Sequence, residues 1–110
     1  MSSINDLRIA VIGLGYVGLP LAVEFGKKRP TIGFDINSKR IKNLTNGIDE
    51  TLEVDKNSLD DANNLIFSND EEDLANCDIY IVTVPTPIDE VNNPNLKPLI
   101  SATKTVAKYL

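Results

Sequence analysis

The chain has 110 residues, 42% hydrophobic and 25% charged, with 16 acidic against 11 basic side chains and a net charge of -5. That length holds one domain and one core, burying roughly two-thirds of the unfolded chain's surface, and the ordinary composition excludes a disordered chain. The acidic balance argues against a nucleic-acid or anionic-membrane surface. No apolar run approaches the roughly 20 residues of a bilayer span, and the opening Met1-Ser-Ser-Ile-Asn-Asp6 lacks the basic and apolar regions of a signal peptide. Cys77 is the single cysteine, so no intrachain disulfide forms and a reducing cytoplasm is the expected location.

In chain order, Leu7 to Ile12 is a short apolar run broken by Arg8 and stopped by Gly13, a first strand. A helix is expected over Val17–Lys28, with Val17, Leu21 and Phe25 sharing a face and two lysines in the last turn, where they suit the helix dipole. Pro20 falls early enough to cost at most one helical bond. Thr31–Phe34 reads as a second strand ending at Asp35. Asn37 caps a helix running to about Asn46, with Ile41 and Leu44 inward and Gly47 stopping it. Residues 48–57 read as a loop, Ser58–Asn64 as a short helix and Leu65–Ser68 as a third strand. Ser68 or Asn69 then caps a helix over Asp70–Ala75. Ile79–Val84, β-branched and aromatic and closed by Pro85, is the strongest strand signal. After a loop rich in Pro and Asn, Pro98 opens a helix over Leu99–Leu110, with Ile100, Thr103, Val106 and Leu110 on one face.

Nearly all-apolar strands separated by helices predict an α/β fold: a Rossmann-type parallel sheet with helices on both faces. About four strands are visible where a complete dinucleotide fold has about six. The chain also stops inside a helix without a C-cap signal. Residues 1–110 are therefore expected to be an incomplete N-terminal cofactor domain of a longer protein.

Ile9-Ala-Val-Ile-Gly13-Leu-Gly15-Tyr-Val-Gly18 places a G-x-G-x-x-G directly after a strand and at the opening of a helix. Gly13 permits the tight turn, Gly15 lets a pyrophosphate reach the backbone, and Gly18 lets helix and strand pack closely. Amides at the helix start face the phosphates with the dipole's help. The motif alone is weak, but Asp35 closes the second strand 17 residues after Gly18, where a carboxylate accepts hydrogen bonds from a ribose. A carboxylate there repels a 2′-phosphate, so NAD is expected over NADP. The other reading of Asp35 is a surface residue capping the next helix.

Lys39 and Arg40 fall in the first turn of that helix, where cations oppose the dipole by a few tenths of a kcal/mol. Arg40 reaching the cofactor's adenosine end would explain the conflict; ordinary solvated charge is the alternative, and it suits Lys39. Thr86, in Val84-Pro85-Thr86-Pro87, sits at the carboxyl end of the fourth strand, the ligand-bearing edge of such sheets. Its hydroxyl is a cofactor contact or part of a proline-stiffened turn. Cys77, with no histidine in the chain to activate it, reads as structural. Asp70-Glu-Glu-Asp73 reads as a solvated face, and Asp49, Glu50, Glu53 and Asp55 do not have calcium-loop spacing. No metal site and no catalytic residue is expected within the chain.

Several segments together resemble one family. Ile12-Gly-Leu-Gly-Tyr-Val-Gly-Leu-Pro-Leu-Ala22, Gly33-Phe-Asp-Ile-Asn37 with Arg40, Asn46-Gly-Ile-Asp49 and Thr83-Val-Pro-Thr-Pro-Ile88 resemble the UDP-glucose/GDP-mannose dehydrogenases from Leu7 to the end of the chain. Val23-Glu-Phe-Gly-Lys27 and Thr51-Leu-Glu-Val54 look most like the branch that oxidises UDP-N-acetylglucosamine or UDP-N-acetylgalactosamine for capsule, O-antigen and Vi polysaccharide. The resemblance implies oxidation of C6 of a UDP-sugar from alcohol to carboxylate by two NAD, through an aldehyde and a cysteine thioester. It implies NAD contacts at Tyr16, Val17, Asp35, Arg40 and Thr86, and a homo-oligomeric parent. It carries no nucleophile onto Cys77, because the family's catalytic cysteine lies in a downstream motif absent here. The 110-residue chain alone is thus expected to be inactive. Lys28-Arg29-Pro30 is a departure in a loop. A non-catalytic NAD-sensing module and the front half of a 3-hydroxyacyl-CoA or 6-phosphogluconate-type dehydrogenase remain as alternatives.

Overall fold

The computed structural model describes residues 7–50, 53–83 and 96–109. Among these, strands β1 (Ile9–Ile12), β2 (Thr31–Phe34), β3 (Leu65–Ser68) and β4 (Ile79–Val82) form one sheet in the order β3-β2-β1-β4. Every pairing is parallel. Helices α1 (Gly18–Gly26), α2 (Ser38–Thr45), α3 (Lys56–Asp61) and α4 (Lys97–Tyr109) accompany them, with a 3-10 turn at Glu71–Leu74. This strand order is the first part of the doubly wound dinucleotide fold, whose direction reverses beside the first strand. The expected Rossmann-type α/β architecture is present.

The position of β1 at the middle of the sheet explains its composition, since all four of its residues are buried. Successive side chains leave a strand on opposite faces, and two apolar layers follow. Ile9 and Val11 pack with Leu19, Val23, Leu44 and Leu59 beneath α1, α2 and α3. Ala10 and Ile12 pack with Ile32, Phe34, Leu74, Ala102 and Val106 beneath α4 and the 3-10 turn.

Two helical faces differ from expectation. In α1 the buried residues are Gly18, Leu19, Ala22, Val23 and Gly26, while Val17 is exposed and precedes the helix. Small residues four apart bring the helix axis close to the sheet: a Cβ on Gly26 would lie 2.5 Å from the Leu65 Cβ. Lys27 and Lys28 follow the helix, outside its last turn. In α4 the sheet-facing residues are Ala102 and Val106, whereas Ile100 and Thr103 are exposed. Leu110 lies outside the described residues.

Smaller corrections concern caps. The α3 helix begins at Lys56, because the Asp55 carboxylate accepts the Ser58 N–H at 2.8 Å. Asp70, and neither Ser68 nor Asn69, caps the 3-10 turn by accepting the Glu72 N–H. The cap of α2 is Asn37 as expected, its Oδ1 accepting the Arg40 N–H at 3.1 Å, and Gly47 beyond that helix has φ 81°.

Candidate functional site

The β1–α1 connection is shaped by its glycines. Gly13 has φ 98°, a left-handed conformation that a side chain strains. A Cβ on Gly18 would stand 1.7 Å from the Gly13 carbonyl oxygen and 2.3 Å from Thr83 Oγ1, so only glycine permits this approach of helix to strand. Gly15 is the opposite case: a Cβ there would meet nothing within 4 Å. Tyr16 and Val17 stand 69% and 68% exposed on the crest of the turn. Val17, the N-cap of α1, makes no side-chain cap bond. The Leu19 N–H donates to the Gly15 carbonyl oxygen at 3.2 Å and Pro20 carries no N–H, so the first-turn amide left for an anion is that of Gly18, beside those of Gly15, Tyr16 and Val17 in the loop before it.

Two successive peptide planes of this loop are fixed from outside it. The Leu14 N–H donates to Asp35 Oδ2 at 3.0 Å, and Thr83 Oγ1 donates to the Gly13 carbonyl oxygen at 2.7 Å. These groups belong to one trans peptide and point to opposite sides. In the next peptide, the Leu14 carbonyl oxygen accepts both Arg40 Nε at 2.8 Å and Arg40 Nη2 at 2.6 Å. By the same planarity the Gly15 N–H points away from Arg40.

Asp35 also accepts the Asn37 N–H, at 2.9 Å through Oδ1. A carboxylate offers about four acceptor positions, so capacity remains beside these two bonds. Asn37, not Asp35, is the cap of α2, which removes the cap reading of Asp35. Arg40 is only 9% exposed, and its Nη1 donates to Asp49 Oδ1 at 2.8 Å. Asp49, 7% exposed, uses Oδ2 to accept the N–H groups of Glu53 and Val54 at 2.9 and 3.0 Å. The first-turn cation thus turns inward onto the glycine loop and pairs with an acid beyond α2. Lys39 is exposed, as expected.

The Gly13–Gly15 loop, Asp35, Asn37 and Arg40 border a cleft of about 590 Å³ at the carboxyl ends of β1 and β2. One wall is Gly13–Gly15, a second is Asp35–Asn37, and a third is the start of α4, with Lys97, Pro98 and Ser101. Its lining combines apolar walls with convergent polar groups, as small-molecule sites do. A second concavity of about 470 Å³ between α2, α3 and β3 contains none of the loop's amides.

Of the residues singled out from sequence, Gly13, Gly15, Tyr16, Val17, Gly18, Asp35 and Arg40 gather at the β1–α1 turn; Thr86 lies outside the described residues. Cys77 is half-buried, and burial pushes its thiol pKa up despite the nearby Arg8. Sequence reasoning quoted Thr83 and Asp49 within the segments that carry the family resemblance but missed what each does. A lone hydroxyl ending an apolar strand was a signal for the first. For the second, the only signal was its place in the Asn46–Asp49 segment, since the acid-rich loop around it singles out no one carboxylate. No described helix is long and apolar enough to cross a membrane.

Residues 7–110 match the model of the UDP-glucose/GDP-mannose dehydrogenase family, NAD binding domain. The chain is 58% identical over 106 residues to a UDP-N-acetyl-D-glucosamine 6-dehydrogenase of Pseudomonas aeruginosa, covering 96% of this chain and 25% of that protein. It is 52% identical over 110 residues to the Salmonella typhi protein of the same name, covering 100% of this chain and 26% of the relative. The structure of a UDP-D-ManNAc dehydrogenase from Pyrococcus horikoshii superposes with a TM-score of 0.86 at 34% identity, over 94% of this chain and 26% of that one. The chain therefore spans about a quarter of the length of these relatives.

Proposed function

The chain belongs to the UDP-glucose/GDP-mannose dehydrogenase family as its NAD-binding domain, and from that premise we propose that NAD lies in the cleft between the glycine loop, Asp35 and α4. The observation that carries this placement is the open face at Gly15 beside the uncapped start of α1. In this reading the backbone of Gly15, Tyr16 and Val17 holds the pyrophosphate, and the spare acceptor positions of Asp35 take the ribose hydroxyls. Arg40 acts through the Leu14 carbonyl it grips, and a hydroxyl contact to the cofactor is assigned to Thr86.

The whole protein, in the same proposal, is a UDP-sugar 6-dehydrogenase acting on a UDP-N-acetylhexosamine. NAD supplies a hydride acceptor, and two equivalents take the C6 alcohol to the carboxylate. The names of the relatives support the substrate class. A cytoplasmic location is carried by the single cysteine, which fits a reducing compartment. Homo-oligomerisation is carried from the family resemblance. This chain contributes binding and orientation; no catalytic group is assigned within it.

Asp35→Asn tests the ribose assignment. It keeps an acceptor for the Leu14 N–H and removes the charge that excludes a 2′-phosphate. NAD affinity, measured by titration calorimetry, is expected to fall by about 1.5–3 kcal/mol, the worth of a hydrogen bond to a charged group. The preference for NAD over NADP should narrow with it. An unchanged NAD-to-NADP ratio would remove Asp35 from the ribose.

A further inference from the structure

We propose that Asp49, remote from the glycine motif in sequence, is a positioning residue for the cofactor loop, acting through Arg40; the proposal rests on NAD occupying the Gly15 side of that loop. Arg40 holds the Leu14 carbonyl with two donors, Nε and Nη2, and its third contact, Nη1, goes to Asp49. An arginine whose side chain is only 10% exposed does not stay buried without a counter-charge. The planar fork of Arg then aims two of its donors at one oxygen while the far nitrogen is pinned. Because the Leu14–Gly15 peptide is planar, gripping its carbonyl sets the direction of the Gly15 N–H on the opposite side. Asp49 therefore fixes, through one side chain and one peptide, an amide of the proposed pyrophosphate cradle.

The chemistry at position 49 calls for a carboxylate. Oδ1 serves Arg40, and Oδ2 serves the Glu53 and Val54 N–H groups. An amide has a single acceptor oxygen and a donor nitrogen. Asparagine can satisfy the Glu53–Val54 backbone or the guanidinium, not both, and it brings no charge. A residue that only closed the turn after α2 would be well served by asparagine, which makes the substitution informative.

The test is Asp49→Asn in the full chain, read at a temperature where it and the wild type are both folded. ADP-ribose and NAD should each bind about tenfold or more weakly by calorimetry. In nitrogen-15 spectra the Leu14 and Gly15 amides should shift and the Leu14 amide should exchange faster, while α4 amides stay in place. If Asp49→Asn fails to fold, Arg40→Lys replaces it, keeping a cation against Asp49 but losing the two-donor grip on Leu14; the same weakening and the same amide changes are expected. Unchanged affinity and unchanged Leu14 exchange, whatever happens to the melting temperature, would overturn the proposal. Failure of the wild-type chain to bind NAD would defeat the cofactor reading instead, and Leu14 exchange would still decide whether Asp49 holds the loop.

Discussion

Gly18→Ala is expected to destabilise the chain by about 3 kcal/mol or more, the upper end of overpacking costs. Elsewhere in a helix, the same change stabilises by roughly 0.5–1 kcal/mol, because glycine loses more backbone entropy on folding. The sign reverses here because the new Cβ would stand 1.7 Å from the Gly13 carbonyl oxygen and 2.3 Å from Thr83 Oγ1. Thr83 can rotate away at the cost of its bond to Gly13. The carbonyl cannot, since it belongs to the peptide whose N–H is held by Asp35. Either α1 lifts from the sheet or the glycine loop opens. With roughly 4–8 °C per kcal/mol for a domain near this size, the melting temperature should fall by more than about 12 °C. Thermal or urea denaturation checks it, and a stability equal to or above wild type would contradict the close approach.

Arg40→Met should be comparably damaging, at about 3–5 kcal/mol, because it leaves the Asp49 carboxylate buried without its counter-charge. It also frees the Leu14 carbonyl, so loop order and stability are lost together. The double variant Arg40→Met with Asp49→Leu separates these effects. Removing both charges avoids the uncompensated one, so the double variant should be more stable than Arg40→Met alone, although the Glu53 and Val54 N–H groups lose their acceptor. Denaturation midpoints of the wild type, both single variants and the double variant measure this coupling. Additive losses would mean that the two side chains do not act as a pair.

What was legible in the sequence was what depends on near neighbours along the chain. The spacing of Gly13, Gly15 and Gly18 after an apolar run, and of Asp35 after them, marked the β1–α1 turn and the end of the second strand where the structure has them. Asn37 and Gly47 marked the ends of α2 because a cap acts on its own first turn and a glycine on its own φ. The partners that hold the loop are of another kind. Thr83 reaches Gly13 across 70 residues, and Asp49 reaches Arg40 only because the chain turns back at Gly47 after α2. No local pattern encodes either contact. Arg40 was noticed because a cation opposes the dipole in a first helical turn, but the direction of its side chain is a tertiary fact. The misread faces of α1 and α4 share a cause. Counting large apolar residues finds Val17, Leu21 and Ile100, whereas close packing on a sheet selects Gly18, Ala22, Gly26 and Ala102.

Titration calorimetry of the chain with NAD, run on the wild type and on Gly15→Ala, tests the placement of the cofactor most directly. An added Cβ at Gly15 meets no atom beyond its chain neighbours within 4 Å, so the variant should melt within about 4 °C of the wild type, a surface-sized effect. The same methyl group enters the space assigned to the pyrophosphate, where overpacking of about 1–3 kcal/mol corresponds to roughly 5- to 150-fold weaker binding. Wild-type binding together with that loss in a fully folded variant is the predicted result. No NAD binding by the wild type, or equal affinity in the two proteins, would contradict it.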